Sequence, residues 1–226
     1  MIQELLSAQE KADVLFREAE ARGYIVAGQT EKELNTKMFD LAEELFGIRK
    51  YWHKRIVRAG VNTLLPYREN PPNLVLQQDD ILFFDFGPVF EEWEADYGRT
   101  YVIGEDPYKL RLKTDTEALW REGKEYFDRN YATLTGAGFY AYTKELAVRS
   151  GWEFGNIHCG HLIGNFPHEE VLGEEVENYL HPENHLPLSA PDKFGHQRYW
   201  IYEIHLVDRA RGIGGFFEQL VNSVES

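Results

Sequence analysis

Apolar residues recur with helical spacing at the start of the chain and predict two helices before residue 50. The first helix ends near Gly23, and the second ends at Gly47. Thr30 followed by Glu33 matches a capping box, and a closing glycine is typical of a helix C-terminus. The two apolar stripes are Ile2, Leu5, Leu6, Ala12, Leu15, Phe16 and Ala19, and then Leu34, Met38, Leu41, Ala42 and Leu45.

Beyond residue 51 the pattern alternates again between strands and helices. The runs ILFFDFG and ADYGRTYVIG predict strands, Asp106-Pro107 predicts the start of a third helix, and a fourth helix occupies 135–151. RYWIYEIHLVD and GGFFEQLV predict the last strands. The succession predicts a single α+β domain over residues 1–226, with two similar halves sharing one sheet. Its parts are helices in 1–47, strands in 51–103, helices in 107–151, and strands and loops in 152–226.

Two aspartates interrupt the apolar strands of the first half. Asp85 lies within ILFFDF, and Asp96 follows eleven residues later. A buried carboxylate is costly unless a cation or hydrogen bonds compensate for the lost water. With a hairpin turn centred between Phe90 and Glu91, the antiparallel register would place Asp85 directly opposite Asp96.

The second half repeats this pattern with glutamates. A turn centred between Ala210 and Arg211 would place Glu203 opposite Glu218. Either pair alone is explained by exposure or by neutralisation with Lys or Arg. Two opposed pairs together favour a cation between the carboxylates, because like charges at paired positions repel. Four carboxylates and a histidine suit two divalent ions such as Mn, Fe, Co or Zn.

His161 is the histidine best suited to join these carboxylates. Gly160 and Gly164 flank it and allow close backbone approach. His168 follows seven residues later. His205 shares a strand face with Glu203, so a place near the metals and a place in the core are equally compatible with the sequence. The other histidines carry no such signal: His53, His158, His181, His185 and His196.

These motifs together resemble the pita-bread metallopeptidases, the family of methionine aminopeptidase, aminopeptidase P and prolidase, and most of all its Xaa-Pro peptidase-like branch. The matching stretches, in the family's order, are DFG at Asp85, DYGRT at Asp96, GHLIG around His161, HE at His168, and the two late glutamates. The resemblance implies the pita-bread (creatinase/aminopeptidase) fold, a curved and mostly antiparallel sheet flanked by helices. It also implies a catalytic domain alone, without the extra N-terminal domain of aminopeptidase P and prolidase.

The resemblance further implies a role for each matching residue. The metal ligands would be Asp85, Asp96, His161, Glu203 and Glu218, with Asp96 and Glu218 shared by both ions. A metal-bridging hydroxide would attack the amide carbonyl of a small peptide. Glu203 would carry the proton to the departing nitrogen, and His168 would donate to the oxyanion. Tyr67 and His205 are the candidates for substrate contact.

Three positions depart from the family's pattern. Tyr67 stands where the family usually has a histidine, Leu162 replaces the middle glycine of GHGxG, and Val171 replaces a proline. A phenol, whose pKa is near 10, cannot exchange protons as an imidazole does near neutral pH. These changes leave open a metal-dependent hydrolase or lyase that acts on a non-peptide small molecule. A non-catalytic binding module is the third alternative.

The charge composition limits the classes of partner that the protein is expected to bind. Lys and Arg total 24 against 38 Asp and Glu, a formal net charge of −14 that repels phosphate backbones and anionic lipid. Nucleic acids and membranes are therefore not expected as partners, whereas metal cations and small peptides are. The charged N-terminus, the lack of a long apolar run and the single Cys159 predict a soluble cytoplasmic protein, and a homodimer is compatible with the sequence.

Overall fold

The computed structural model describes residues 1–167 and 175–223, and the four α-helices in these ranges lie where the sequence predicts them. They are α1 (Ile2–Ala21), α2 (Glu31–Phe46), α3 (Pro107–Asn130) and α4 (Gly136–Arg149). Thr30 and Glu33 form the capping box of α2, and Gly47 ends that helix with φ 66°. The Asp106 carboxylate accepts from the backbone N–H groups at the start of α3. The predicted helix boundaries are confirmed to within a few residues.

Nine strands lie in the same ranges, seven of them in one antiparallel sheet. They are β1 (Ile56–Ala59), β2 (Ile81–Phe86), β3 (Val89–Phe90), β4 (Trp93–Glu94), β5 (Tyr97–Val102), β6 (Glu153–Phe154), β7 (Leu162–Ile163), β8 (Tyr199–Asp208) and β9 (Ile213–Leu220). The order across the sheet is β1-β2-β5-β9-β8-β6, with β7 also paired to β8, while β3 and β4 form a separate hairpin. Helices and an antiparallel sheet confirm the predicted α+β class.

Helices pack on one face of the sheet and leave the other face for polar side chains. Phe84 and Phe86 of β2 pack edge to face against Phe16 of α1. In the second half, Tyr202 of β8 stacks on Phe139 of α4. Side chains alternate along a strand, so the residues between these aromatics, among them Asp85, point to the opposite face.

The register of the first hairpin contradicts the sequence prediction. Asp85 is paired with Gly98, two residues further along the chain than Asp96. The hairpin turns at Glu91 and Glu92, one residue later than predicted, and Glu91 has φ 59°. Asp96 is therefore a diagonal neighbour of Asp85 and not its direct partner. Because side chains repeat every two residues, a two-residue shift leaves both carboxylates on one face.

The register of the second hairpin is confirmed. Glu203 of β8 is paired with Glu218 of β9, and the turn is followed by Gly212 at φ 67°. Glu218 is also paired with Gly98 on its other side. One transverse row of the sheet thus contains Asp85, Gly98, Glu218 and Glu203, in that order.

Residues 175–197, which lie between β7 and β8, pack against the second half of the molecule. Leu180 and Leu188 are fully buried, and the backbone of Leu180 exchanges hydrogen bonds with Cys159 and Gly160. Cys159 is itself buried in the core of this half. No helix within 1–167 or 175–223 combines the length and the apolar character that a membrane crossing requires.

Candidate metal centre

The four predicted carboxylates converge on the face of the sheet that the helices leave free, and all four are buried. Gly98 makes this convergence possible. A Cβ atom at this position would lie 2.6 Å from the Phe216 ring and 3.0 Å from Glu218 Cβ. The missing side chain therefore leaves space in the row between Asp85 and Glu218.

His161 reaches the carboxylates from the loop before β7. Its Nε2 atom lies 3.0 Å from Asp96 Oδ2 and 3.9 Å from Glu218 Oε1. Its Nδ1 atom lies 2.8 Å from the backbone oxygen of Leu162. Donor atoms of His161, Asp96 and Glu218 all lie within 4.8 Å of one another, close enough to bind one cation. The structure thus brings together the histidine and the carboxylates that the sequence singled out.

His53 is a member of the site that sequence reasoning missed. Its Nε2 atom lies 3.2 Å from Asp96 Oδ1 and 3.6 Å from Asp85 Oδ1, and its side chain is only 4% exposed. With Asp85 and Asp96 it forms a second group whose donor atoms lie within 4.8 Å of one another. The one sequence signal was Gly87 in the D-x-G stretch, since a Cβ there would collide with the His53 ring.

Glu203 has two further polar neighbours. Asn156 donates from Nδ2 to Glu203 Oε1 at 2.5 Å, and His158 Nδ1 lies 3.5 Å from the same oxygen. Burial, with help from the charge of His161, lowers the pKa of His158 to about 3. His158 is therefore a neutral imidazole near pH 7. Asn156 carried no signal in the sequence, because its approach to Glu203 depends on the pairing of β6 with β8.

The two predicted substrate contacts lie in different surroundings. Tyr67 is 47% exposed, and its ring centroid lies 5.6 Å from that of His53. His205 is fully buried, with Nε2 2.8 Å from the backbone oxygen of Thr63 and its ring against Phe83 and Phe216. These contacts favour a structural role for His205.

Leu162, His168 and Val171 belong to the stretch around His161 that resembles the family pattern. The side chain of Leu162, which replaces a glycine of the family pattern, is buried in the core of the second half. Leucine at this position therefore fills space in the core and not in the metal site. His168, the predicted oxyanion donor, and Val171 lie outside the described residues.

Burial and mutual repulsion disturb the acid–base behaviour of the cluster. Burial raises the pKa of Asp85 and of Glu203 to about 7, and it raises that of Glu218 well above its ordinary value. Burial also opposes ionisation of Asp96, but the charge of His53 and the hydrogen bond from His161 outweigh it and lower the pKa to about 2. Asp96 is thus the carboxylate that stays ionised.

The charge balance of the cluster fits divalent cations. In the described part of the chain, every ion pair of these carboxylates has a histidine as its basic partner. Glu218 Oε2 is buried and has no hydrogen-bond partner within 1–167 and 175–223. A buried carboxylate oxygen without a partner is costly, and a bound cation would satisfy it. Carboxylate and imidazole donors together suit Mn, Fe, Co or Zn.

Known proteins share both the sequence pattern and the fold. Residues 3–192 match the model of metallopeptidase family M24. A Mycoplasma genitalium protein named as an Xaa-Pro aminopeptidase is 24% identical over 130 residues, which is 57% of this chain and 36% of that protein. The structure of X-Pro aminopeptidase from Thermotoga maritima matches 99% of this chain and 61% of its own, with a TM-score of 0.73 and 20% identity.

The fold likeness extends to a shorter relative. Methionine aminopeptidase from Thermotoga maritima matches 97% of this chain and 91% of its own, with a TM-score of 0.63 and 16% identity. The chain thus spans 36% and 61% of the two Xaa-Pro aminopeptidases and nearly all of the methionine aminopeptidase. These likenesses confirm the pita-bread fold, and the family model covers most of the sequence. The chain belongs to metallopeptidase family M24, a family of peptidase-type hydrolases.

Proposed function

We propose that this protein is a dinuclear-metal-dependent peptidase that hydrolyses an amide bond of a small peptide. The observation that carries the proposal is the convergence on Asp96 of two groups of donor atoms, one with His53 and Asp85 and one with His161 and Glu218. Two groups that share one carboxylate are the arrangement expected for two adjacent ions. Membership of family M24 supports the same reading.

The residues of the site divide into binding and proton-transfer roles. Asp85, Asp96, His161, Glu203 and Glu218 would hold the ions. When bound, such ions acidify a water molecule and polarise the substrate carbonyl. Asn156 donates from its amide to one oxygen of Glu203 and so orients the carboxylate that would pass a proton to the leaving nitrogen. Burial of these groups excludes bulk water from the reacting bond.

The names of the relatives support an Xaa-Pro peptide as substrate. Both Xaa-Pro aminopeptidases match this chain, and the prolidase from Pyrococcus furiosus matches 99% of it with a TM-score of 0.69 at 16% identity. A proline after the scissile bond makes the leaving nitrogen a secondary amine, which must be protonated before it departs. Glu203 would supply that proton.

The experiment combines metal analysis with a peptide screen. Protein stripped with EDTA and reloaded with Mn(II), Fe(II), Co(II) or Zn(II) should bind about two ions per chain and hydrolyse Xaa-Pro peptides. Glu203→Gln should reduce turnover by at least about a hundredfold, because it removes both a ligand and a proton carrier. Glu153→Gln is the matched control, since Glu153 is exposed on β6 and pairs with Arg209. Reloaded protein that binds no metal would refute the proposal.

A second candidate is a metal-dependent hydrolase acting on a non-peptide amide. The observation that favours it is the exposed Tyr67, whose phenol stands beside His53 with the Lys54 ammonium 4.8 Å from the ring centroid. A cation and a phenol provide contacts to a substrate that an imidazole would not provide. Turnover of amidated small molecules, with Xaa-Pro and Met-Xaa peptides left intact, would establish this alternative.

A further inference from the structure

Two histidines, His53 and His161, contact the Asp96 carboxylate in the same way. His53 Nε2 lies 3.2 Å from Oδ1 of this carboxylate, and His161 Nε2 lies 3.0 Å from Oδ2. In each ring, Nδ1 lies 2.8 Å from the backbone oxygen of the next residue along the chain. The five ligands expected from the family pattern include His161 but not His53, although the two rings have the same contacts.

The backbone contacts determine which nitrogen of each ring carries a proton. A carbonyl oxygen can only accept, so Nδ1 of His53 donates to Lys54 and Nδ1 of His161 donates to Leu162. Without metal, Nε2 of each ring carries a proton that it donates to Asp96, and a bound cation would take the place of this proton. Each ring would then be neutral, with its Nε2 lone pair directed at the cation. A metal-bound histidine is normally oriented by this type of bond from its other nitrogen.

The distances around His53 fit a shared cation. Two donors bonded to one ion at about 2.1 Å and at right angles or tetrahedral angles lie about 3.0–3.4 Å apart. His53 Nε2 lies within this range of Asp96 Oδ1, at 3.2 Å, and slightly beyond it from Asp85 Oδ1, at 3.6 Å. His53 is therefore next to the two aspartates, on the side of Asp96 away from its contact with His161.

The position of His53 is fixed by its neighbours. Gly87 leaves the space that the ring occupies, because a Cβ there would lie 2.4 Å from His53 Nε2. Trp52 packs against both imidazoles, with centroids 4.3 Å from His53 and 5.2 Å from His161. The Trp52 indole N–H donates to Ala95 next to Asp96, and its backbone N–H donates to Gly87. The rings are held before any ligand arrives, as a metal site requires.

We propose that His53 is a sixth metal ligand, which binds through Nε2 the ion held by Asp85, so that each ion receives one imidazole. This inference rests on the proposed dinuclear centre. One imidazole per ion makes the two sites chemically alike, with mixed nitrogen and oxygen donors at both. Such donors favour Mn, Fe, Co or Zn at both positions over Mg or Ca, which prefer all-oxygen sites.

The first test uses the unmodified protein. With two Zn(II) ions bound, X-ray absorption should give an average of about one imidazole per ion, whereas the five-ligand site would give about half of one. With Co(II) bound, proton NMR in water should show two strongly shifted, exchangeable Nδ1–H signals, one from each ligating ring. Half an imidazole per ion together with a single shifted signal would overturn the inference even if no variant can be made.

The second test uses three matched substitutions, each checked for folding by circular dichroism. His53→Gln should remove one shifted signal and weaken the binding of one Co(II) ion by at least about tenfold, as expected on loss of a ligand. His161→Gln should remove the other signal. His185→Gln, at an exposed histidine, should change neither.

The outcomes separate this inference from the proposed function. Wild-type protein that takes up no metal would refute the dinuclear centre itself. Wild-type protein that binds two ions, with His53→Gln retaining both affinities and both signals, would refute only the ligand role of His53. In that case His53 would act as a hydrogen-bond donor to Asp96.

Discussion

At the scale of single residues, Asp96 organises the site because both of its oxygens contact an imidazole. His53 lies at one oxygen and His161 at the other. The imidazole contacts of the other carboxylates are longer, at 3.5–3.9 Å, and burial raises the pKa of Glu203 to about 7. The hydrogen bond from Asn156 to Glu203 is therefore expected to matter for proton transfer.

Replacing Asn156 tests this expectation. Asn156→Ala removes the amide that donates to Glu203 Oε1, and a hydrogen bond to a charged group contributes about 1.5–3 kcal/mol. We expect kcat to fall by roughly tenfold to a hundredfold on the proposed peptide substrates, with KM nearly unchanged and a shifted pH–rate profile. Asn130→Ala is the control, because the Asn130 amide donates to Tyr126 at the end of α3. Equal kinetic effects of the two variants would contradict the assignment.

At the scale of elements, local signals predicted the helices and one hairpin but not the other. Thr30, Gly47 and Asp106 mark helix ends through their own backbone contacts, so they can be recognised without tertiary information. The turn at Glu91 and Glu92 contains no Gly or Asn, the residues that normally reveal a left-handed turn position. The predicted register of the first hairpin was therefore wrong by two residues, although the face was correct.

The transverse row of residues across β2, β5, β9 and β8 depends on the missing side chain of Gly98, and replacing this glycine tests that dependence. Gly98→Ala would place a Cβ 2.6 Å from the Phe216 ring and 3.0 Å from Glu218 Cβ, so β9 must shift. We expect a loss of about 1–3 kcal/mol in the free energy of unfolding, together with weaker metal binding. Chemical denaturation and metal titration would measure both.

Gly138→Ala is the control for this change. Gly138 lies in the first turn of α4, where a Cβ would come within 3.3 Å of Thr135 Oγ1, and alanine favours the helix. We expect a change of less than about 1 kcal/mol and unaltered metal binding. If Gly98→Ala behaved in the same way, the row would tolerate a side chain and its glycine would have no special role.

At the scale of the whole molecule, the sequence predicted the type of site, a cluster of metal-binding carboxylates and histidine. It did not predict every residue that belongs to that site. Asp85, Asp96 and His161 were recognisable because family motifs surround them. His53 and Asn156 were not, because each approaches its carboxylate only after distant segments have packed. Buried, mutually repelling carboxylates of this kind also affect the stability of the entire fold.

The direction of this effect follows from the pKa values. Burial raises the pKa of Asp85 and Glu203 to about 7, and Asp96 and Asp85 raise that of His53 to about 9 against the opposing effect of its burial. Burial lowers the pKa of His158 to about 3 and that of His205 to about 4, so below about pH 6.5 these two rings act in the opposite direction, since they are protonated only in the unfolded chain. Between about pH 6.5 and 9 the folded protein therefore binds more protons than the unfolded chain. By linkage, the free energy of unfolding must fall as pH rises through this window. Asp96, whose pKa is lowered to about 2, contributes only below it.

We therefore expect EDTA-treated protein to lose thermal stability between pH 6.5 and pH 8.5, by about 2–4 °C in Tm for each kcal/mol lost. Saturating Mn(II) should reverse the loss, and more strongly at high pH, because the ions compete with protons for the same carboxylates. Glu218→Gln removes one carboxylate whose pKa burial raises, so it should flatten the pH dependence of the EDTA-treated protein. Differential scanning fluorimetry across this pH range measures the Tm of the EDTA-treated protein, of the Mn(II)-loaded protein and of Glu218→Gln. A Tm that rises with pH without metal would show that these carboxylates are not held as the structure places them.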